Sequence, residues 1–218
     1  MSRSSQSEPL VIAGPAGSLE GLLELPGSAE PSALAIICHP HPLHGGTMQN
    51  KVAHTLARAF VSRQFAALRF NFRGVGKSEG QFDDGTGELE DALAVITYLR
   101  SRYPDMALWL AGFSFGGAVA IRAADKLDVN GLVAVAPAAH RFADAAPLQP
   151  TCPWLIVHGE DDELVAVDDT IKWVNSMAAG PQLRIFPETT HFFHGKLIML
   201  RDAVVSFVDE HRGLSAES

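Results

Sequence analysis

The chain has 218 residues, of which 47% are hydrophobic and 19% charged, and it carries a formal net charge of −8. This size and composition suit one globular domain with a substantial core. An acidic chain without a basic run is not expected to bind nucleic acid, and no apolar run is long enough to span a bilayer. Because the first residues lack the apolar core of a signal peptide and the chain has 2 cysteines, we expect a cytoplasmic protein without a disulfide framework.

The N-terminal segment begins with a polar, Ser-rich stretch over residues 1–8, which we predict to be a disordered tail. A single domain is expected over 9–213, followed by a short tail over 214–218. The domain opens with two apolar segments, 10–13 and 19–25, separated by a Gly-Pro-Ala-Gly turn. This arrangement predicts an antiparallel hairpin.

The rest of the chain alternates between short apolar runs and amphipathic segments, a pattern typical of buried parallel strands separated by helices. We therefore predict an α/β fold, with a mostly parallel sheet covered by helices on both faces. In such a sheet, ligands bind beyond the carboxyl ends of the strands. The predicted strands are 33–38, 66–72, 107–111, 132–136, 154–157 and 183–186. The predicted helices are 50–64, 88–102, 116–126, 168–177 and 195–212.

A Gly-Phe-Ser-Phe-Gly segment over residues 112–116 lies between a predicted strand and a predicted helix. In this context G-x-S-x-G is the pattern of a nucleophile elbow, a sharp turn that holds a serine hydroxyl out towards the substrate. A serine hydroxyl needs an adjacent base to accept its proton, and histidine has a suitable pKa. The pattern therefore predicts Ser114 as a nucleophile.

An acidic loop, His-Gly-Glu-Asp-Asp-Glu-Leu-Val over 158–165, follows the strand predicted at 154–157. It resembles the acid loop of the α/β-hydrolase superfamily, which often has the form H-G-x-x-D-x-x-V. The resemblance implies that Asp162 is the carboxylate that orients the catalytic histidine, with Asp161 as the alternative. The simpler interpretation is that this run of carboxylates is only a solvated loop.

Two histidines follow the last predicted strand, in the segment Pro-Glu-Thr-Thr-His-Phe-Phe-His over 187–194. The superfamily places its base shortly after this strand, often with an aromatic residue next to it. The resemblance therefore implies His191 as the general base. For His194 we expect a capping or surface role.

The oxyanion hole of such an enzyme requires two backbone N–H groups that point at the developing charge. One is expected from Phe115, the residue after the nucleophile. The other is expected from the loop after the strand at 33–38, which begins His-Pro-His-Pro-Leu-His-Gly-Gly. Proline has no N–H, so His41 and Leu43 remain as alternative donors.

Two further segments are similar to those of α/β-hydrolases. Residues 71–78, Asn-Phe-Arg-Gly-Val-Gly-Lys-Ser, match the turn D-x-R-G-x-G-x-S with Asn71 in place of the aspartate. The His-Pro-His-Pro-Leu-x-Gly-Gly segment and the short chain are similar to small bacterial hydrolases akin to dienelactone hydrolase. Only residues 137–152 are available where many members insert a lid, so no cap domain is expected.

The resemblance implies a serine hydrolase that cleaves a carboxylic ester or related acyl bond of a small soluble substrate through an acyl-enzyme on Ser114. It implies no cofactor, no metal, and no nucleic-acid or membrane partner, and the sequence does not indicate an oligomeric state. A peptidase or thioesterase with the same triad, or a catalytically silent binding module, remains open. Candidates for the lining of an apolar acyl pocket are Phe82, Phe113, Phe142 and Phe192, with core packing as the commoner alternative for such residues.

Two other chemistries come close to matching. Residues 71–78 differ from a nucleotide-binding P-loop only at the first glycine, which the phosphate cradle requires. The spacing of His39, His41 and His44 suits a zinc site, but Leu43 stands where that site has an aspartate. We expect these histidines instead to hold the oxyanion loop by hydrogen bonds.

Overall fold

The computed structural model describes residues 6–27, 30–138 and 148–213. Its strands form one 8-stranded sheet in the order β1-β2-β4-β3-β5-β6-β7-β8. Strands β1 and β2 pair antiparallel, β2 pairs antiparallel with β4, and the other neighbours are parallel. The strands are β1 Gln6–Gly14, β2 Gly17–Leu25, β3 Ala33–Cys38, β4 Phe65–Phe70, β5 Leu108–Phe113, β6 Gly131–Val135, β7 Trp154–Gly159 and β8 Gln182–Phe186.

Helices cover both faces of this sheet, as the alternation of apolar runs predicts. One hydrophobic core lies between the sheet and α2 and α3, and a second lies on the opposite face against α1 and α5. Every residue of the central strands β3, β4 and β5 is buried, which explains why their sequences are apolar except for Arg69, which pairs with Glu24. The helices are α1 Lys51–Val61, α2 Thr86–Arg102, α3 Phe115–Lys126, α4 Val167–Asn175 and α5 Leu197–His211.

The N-terminal hairpin is present, but β1 begins earlier than the predicted domain. Residues 6–8, predicted as part of the tail, belong to the sheet, and Glu8 pairs in register with Leu23. The Glu8 carboxylate also lies 2.7 Å from the guanidinium of Arg102 at the end of α2. These partners lie far along the chain, so the local polar composition gives no sign of them.

The connection between β6 and β7 occupies residues 136–153. Residues 139–147 of it, including Phe142, lie outside the described residues. Both cysteines, Cys38 and Cys152, are free and buried. In the described part of the chain, no helix combines the length and apolar composition needed to cross a membrane.

Candidate active site

Ser114 occupies a sharp turn between β5 and α3, with φ 54° and ψ −117°. Its N–H donates to the carbonyl of Val135 on the neighbouring strand at 2.8 Å. A methyl group on Gly112 would overlap the carbonyl oxygen of Gly116, and one on Gly116 would overlap the carbonyl of His39. Only glycine permits these close approaches, so the elbow is held in a strained conformation against the loop that follows β3.

The structure brings Ser114, Asp162 and His191 together from three separate loops. His191 Nε2 lies 3.0 Å from Ser114 Oγ, and His191 Nδ1 lies 2.7 Å from Asp162 Oδ2. The carboxylate accepts a hydrogen bond from Nδ1–H, which leaves Nε2 as the acceptor for the serine hydroxyl. His191 and Asp162 are 2% and 8% exposed, whereas Ser114 is half-buried and open to a ligand. This is the geometry of nucleophile, base and orienting acid.

The carboxylate of Asp162 accepts two further hydrogen bonds through Oδ1, from the N–H groups of Leu164 at 2.9 Å and Val165 at 2.8 Å. Burial alone would raise the pKa of Asp162, but the bonds from His191, Val165 and Leu164 outweigh burial and hold the pKa below its ordinary value. Asp162 is therefore ionised at neutral pH. The alternative acid, Asp161, is exposed.

A fully buried histidine, His158, contacts Asp162 and the loop that carries it. Its Nε2–H donates to the Val165 carbonyl at 2.9 Å, so Nδ1 accepts from the hydroxyl of Thr170 at 3.3 Å. The same Nε2 lies 3.4 Å from Asp162 Oδ2. Burial lowers the pKa of His158 and keeps the ring neutral. The sequence pattern includes His158 but indicates no role for it; a polar side chain at the end of a buried strand was the available signal.

The acid loop and the base loop are also joined directly. Glu163 accepts the backbone N–H of His191 at 3.1 Å, and Asp161 donates its N–H to the carbonyl of Thr189 at 3.0 Å. Glu163 was missed because a single carboxylate in an acidic run carries no distinguishing pattern. His194 is exposed and the N-cap of α5 is Lys196, so the surface alternative for His194 is confirmed and the capping alternative is wrong.

The loop after β3 is positioned by His39, which is fully buried. Its Nε2 accepts the N–H of Phe72 at 3.1 Å, and its Nδ1–H donates to the carbonyl of Pro40 at 2.6 Å. Burial lowers the pKa of His39 to about 4, so the ring is neutral at neutral pH. Because a trans peptide is planar, fixing the Pro40 carbonyl on one side points the N–H of His41 to the opposite side.

The two alternative oxyanion donors differ in their surroundings. The N–H of Leu43 donates to Nδ1 of His41 at 3.2 Å, and the Leu43 side chain is 68% exposed. The His41 ring lies 5.0 Å from the ring of Phe115, the residue that follows the nucleophile. These contacts favour the N–H of His41 over that of Leu43 as the second donor.

The same loop is also held at Met48 by Asn71, the residue that follows β4. Asn71 Oδ1 accepts the N–H of Met48 at 2.8 Å, and Asn71 Nδ2 donates to Glu20 Oε2 at 2.8 Å. Arg69, itself paired with Glu24 at 2.9 Å, donates to the Met48 carbonyl. An aspartate at 71 would place its carboxylate against Glu20, which explains why this chain has an asparagine at the position.

The segment 71–78 forms a turn that is hydrogen-bonded to itself and to β2. The Ser78 hydroxyl donates to the Asn71 carbonyl at 2.7 Å, and the N–H of Lys77 donates to Glu20 at 3.0 Å. Within the described residues, no group of three or more histidine, cysteine, aspartate or glutamate side chains is arranged to hold a metal ion.

The phenylalanines predicted to line an acyl pocket have different positions. Phe82 is half-buried, and its ring lies 5.0 Å from that of His41. Phe192 is 43% exposed, with its ring edge-on to His191 at 5.2 Å. Phe113 is fully buried in the core against α1 and α5, so for this residue the core-packing alternative is confirmed.

Comparison with known proteins agrees with this fold. An α/β serine hydrolase homologue from Coxiella burnetii is 42% identical, with a TM-score of 0.87 over 95% of this chain and 97% of that one. XC6422 from Xanthomonas campestris, an α/β serine hydrolase without a lid, is 41% identical, with a TM-score of 0.89 over 98% and 97% of the two chains. Fold and similarity define the class of the lidless α/β serine hydrolases.

The family is also evident from the sequence. An uncharacterized protein of Rickettsia prowazekii is 34% identical over 195 residues, which cover 84% of this chain and 81% of the relative. The family model described as serine aminopeptidase, S33, matches residues 30–151. The chain therefore belongs to this family of the α/β-hydrolase superfamily.

Proposed function

We propose that this serine hydrolase cleaves a carboxylic ester or related acyl bond of a small soluble substrate, with Ser114 as its nucleophile. The observation that carries the proposal is the pair of contacts made by His191, 3.0 Å to Ser114 Oγ and 2.7 Å to Asp162 Oδ2. A serine linked in this way to a buried His–Asp pair is equipped for acyl transfer.

In the first half of the reaction, Ser114 Oγ attacks the carbonyl carbon while its proton passes to His191 Nε2. The Asp162 carboxylate stabilises the imidazolium that forms. The N–H groups of His41 and Phe115 donate to the oxyanion of the tetrahedral intermediate, which then collapses. The leaving oxygen departs with the proton from His191, and the acyl group remains as an ester on Ser114.

In the second half, a water molecule replaces the leaving alcohol. His191 takes a proton from this water as it attacks the acyl carbon, and later returns the proton to Ser114 Oγ. The products are the carboxylic acid and the free enzyme, and every proton is exchanged through the same ring. The reaction needs no cofactor.

A peptide bond is the second candidate substrate, because the matching family is described as serine aminopeptidase. The same groups would attack an amide carbonyl, and His191 would protonate the leaving amine. An aminoacyl p-nitroanilide assayed beside p-nitrophenyl esters of increasing chain length separates the two activities.

The test of the proposal is Ser114→Ala assayed on p-nitrophenyl butyrate. We expect turnover to fall by about 10⁴- to 10⁶-fold, because the acyl acceptor is lost. Ser206→Ala, which removes an exposed hydroxyl on α5, is the matched control and should keep full activity. Retained turnover in a folded Ser114→Ala protein would exclude the mechanism.

A further inference from the structure

A cavity of about 310 Å³ lies between the start of α1 and the base loop. Phe192, His194 and Leu197 line one side, and Lys51 and Val52 line the other. The Phe192 ring is edge-on to the ring of His191 at a centroid distance of 5.2 Å. Phe192 therefore both lines the cavity and contacts the ring of the proposed base, and the cavity volume is at the small end of the range for ligand pockets.

The lining of this cavity combines an apolar surface with one lysine and one histidine. Val52, Leu197 and Phe192 provide the apolar part, and Lys51 and His194 carry nitrogen groups that bind anions. Among the described residues, no aspartate or glutamate lines the cavity. In a chain with a net charge of −8, this cavity is a local site suited to an anionic group.

Lys51 is one of several lysines in the described chain that form no ion pair. Arg63, Arg102 and Lys172 each form an ion pair with a carboxylate, whereas Lys51 is exposed and forms none within the described residues. The Asn50 side chain already accepts N–H groups at the start of α1. Because these N–H groups are already hydrogen-bonded, the attraction for an anion comes from the Lys51 ammonium group.

We propose that this cavity is the subsite for the leaving group, and that it selects an alcohol that carries a carboxylate on a short aliphatic chain. The inference rests on the proposed function, because His191 must return its proton to the leaving oxygen and the leaving group must therefore lie beside that ring. The Lys51 ammonium pairs with the carboxylate, assisted by His194. The methylene groups pack against Val52, Leu197 and Phe192.

The test compares 4-acetoxybutanoate with its neutral amide, 4-acetoxybutanamide, by following acid release at constant pH. The two esters share the acyl group and chain length and differ only in charge. We expect the ratio of their kcat/KM values to favour the anionic ester by about fivefold, the effect of one favourable exposed ion pair. The ratio should fall to about one in Lys51→Met and below one in Lys51→Glu, while added salt reduces it in the wild-type enzyme.

Lys126→Met is the matched control, because Lys126 is an exposed lysine at the far end of the helix that begins beside Ser114. It should keep the wild-type ratio. A ratio unchanged in Lys51→Met would overturn the subsite. A Lys51-dependent preference seen only with monomethyl succinate over methyl succinamate, where the charge is on the acyl side, would overturn the leaving-group assignment. Failure of the proposed function itself would give a different result, because Ser114→Ala would then keep full activity on both esters.

Discussion

The loop before α1 and the loop before α5 both bring groups to Ser114, but they are held in different ways. The first is fixed to the segment that follows β4: His39 of the loop accepts the N–H of Phe72, and Asn71 accepts the N–H of Met48. The second is fixed to the acid loop, partly through the contact between His191 and Asp162 itself. The position of the proposed His41 donor thus depends on a distant buried network, whereas the proposed base is held partly by the proposed acid.

The largest expected effect comes from breaking the base side with Asp162→Asn. The oxygen of the new amide can still accept from Leu164 and Val165, but its nitrogen would donate to His191 Nδ1. The ring would then carry its proton on Nε2 and could not accept the proton of Ser114. We expect kcat to fall by about 10⁴-fold on p-nitrophenyl butyrate.

The matched control is Asp161→Asn, which changes the neighbouring exposed carboxylate. It should stay within about twofold of the wild-type enzyme, as expected for an exposed group that takes no part in the mechanism. Equal losses in the two variants would contradict the assignment of the acid.

A smaller effect is expected from the network that holds the other loop, through Asn71→Asp. This change places a second carboxylate beside Glu20, at a contact now 2.8 Å long, and displaces the loop that carries the His41 N–H. A displaced oxyanion donor should lower kcat by about 10- to 100-fold and leave KM little changed.

Glu20→Gln provides the control for this interpretation. In the double variant with Asn71→Asp, position 20 has the amide and position 71 the carboxylate, so an amide N–H again faces a carboxylate. Most of kcat should therefore be recovered. A double variant as slow as Asn71→Asp alone would show that the Asn71–Glu20 contact does not position the loop.

The smallest expected effect concerns stability. The pKa of His39 is about 4 in the folded protein, against about 6.5 in an unfolded chain. Between these values the unfolded chain binds a proton that the folded protein does not, so the free energy of unfolding falls as the pH is lowered. His39 should account for about 2 kcal/mol of the loss between about pH 7.5 and pH 5.

Urea unfolding at the two pH values measures this contribution. His39→Gln removes the titrating group and should show a smaller loss on acidification than the wild-type protein. His44→Gln, at an exposed position of the same loop, should keep the wild-type dependence. An equal loss in the wild-type and His39→Gln proteins would contradict the burial of a neutral ring at this position.

The sequence predicts those parts of the molecule that depend on local pattern and chain order. Apolar runs locate the strands, and parallel strands place their carboxyl ends at one edge, so Ser114, Asp162 and His191 meet although 77 residues separate the first from the last. The core position of Phe113 also follows from a local pattern. Phe113 shares the two-residue alternation of Trp109 and Ala111, which face the same core.

The partners of the oxyanion loop follow no local rule. Asn71 and Glu20 are 51 residues apart, and His39 meets the backbone of Phe72 across 33 residues. Each pair depends on the register of neighbouring strands and on loop paths that side-chain composition does not encode. Such partners become visible only once the fold is known.

The central claim, that Ser114 is the nucleophile, is tested most directly by intact and peptide mass spectrometry after treatment with a fluorophosphonate. We expect one phosphonyl adduct, located on Ser114, formed slowly or not at all in Asp162→Asn and absent in Ser114→Ala. A folded wild-type protein that stays unmodified, or that carries the adduct on another residue, would contradict this claim.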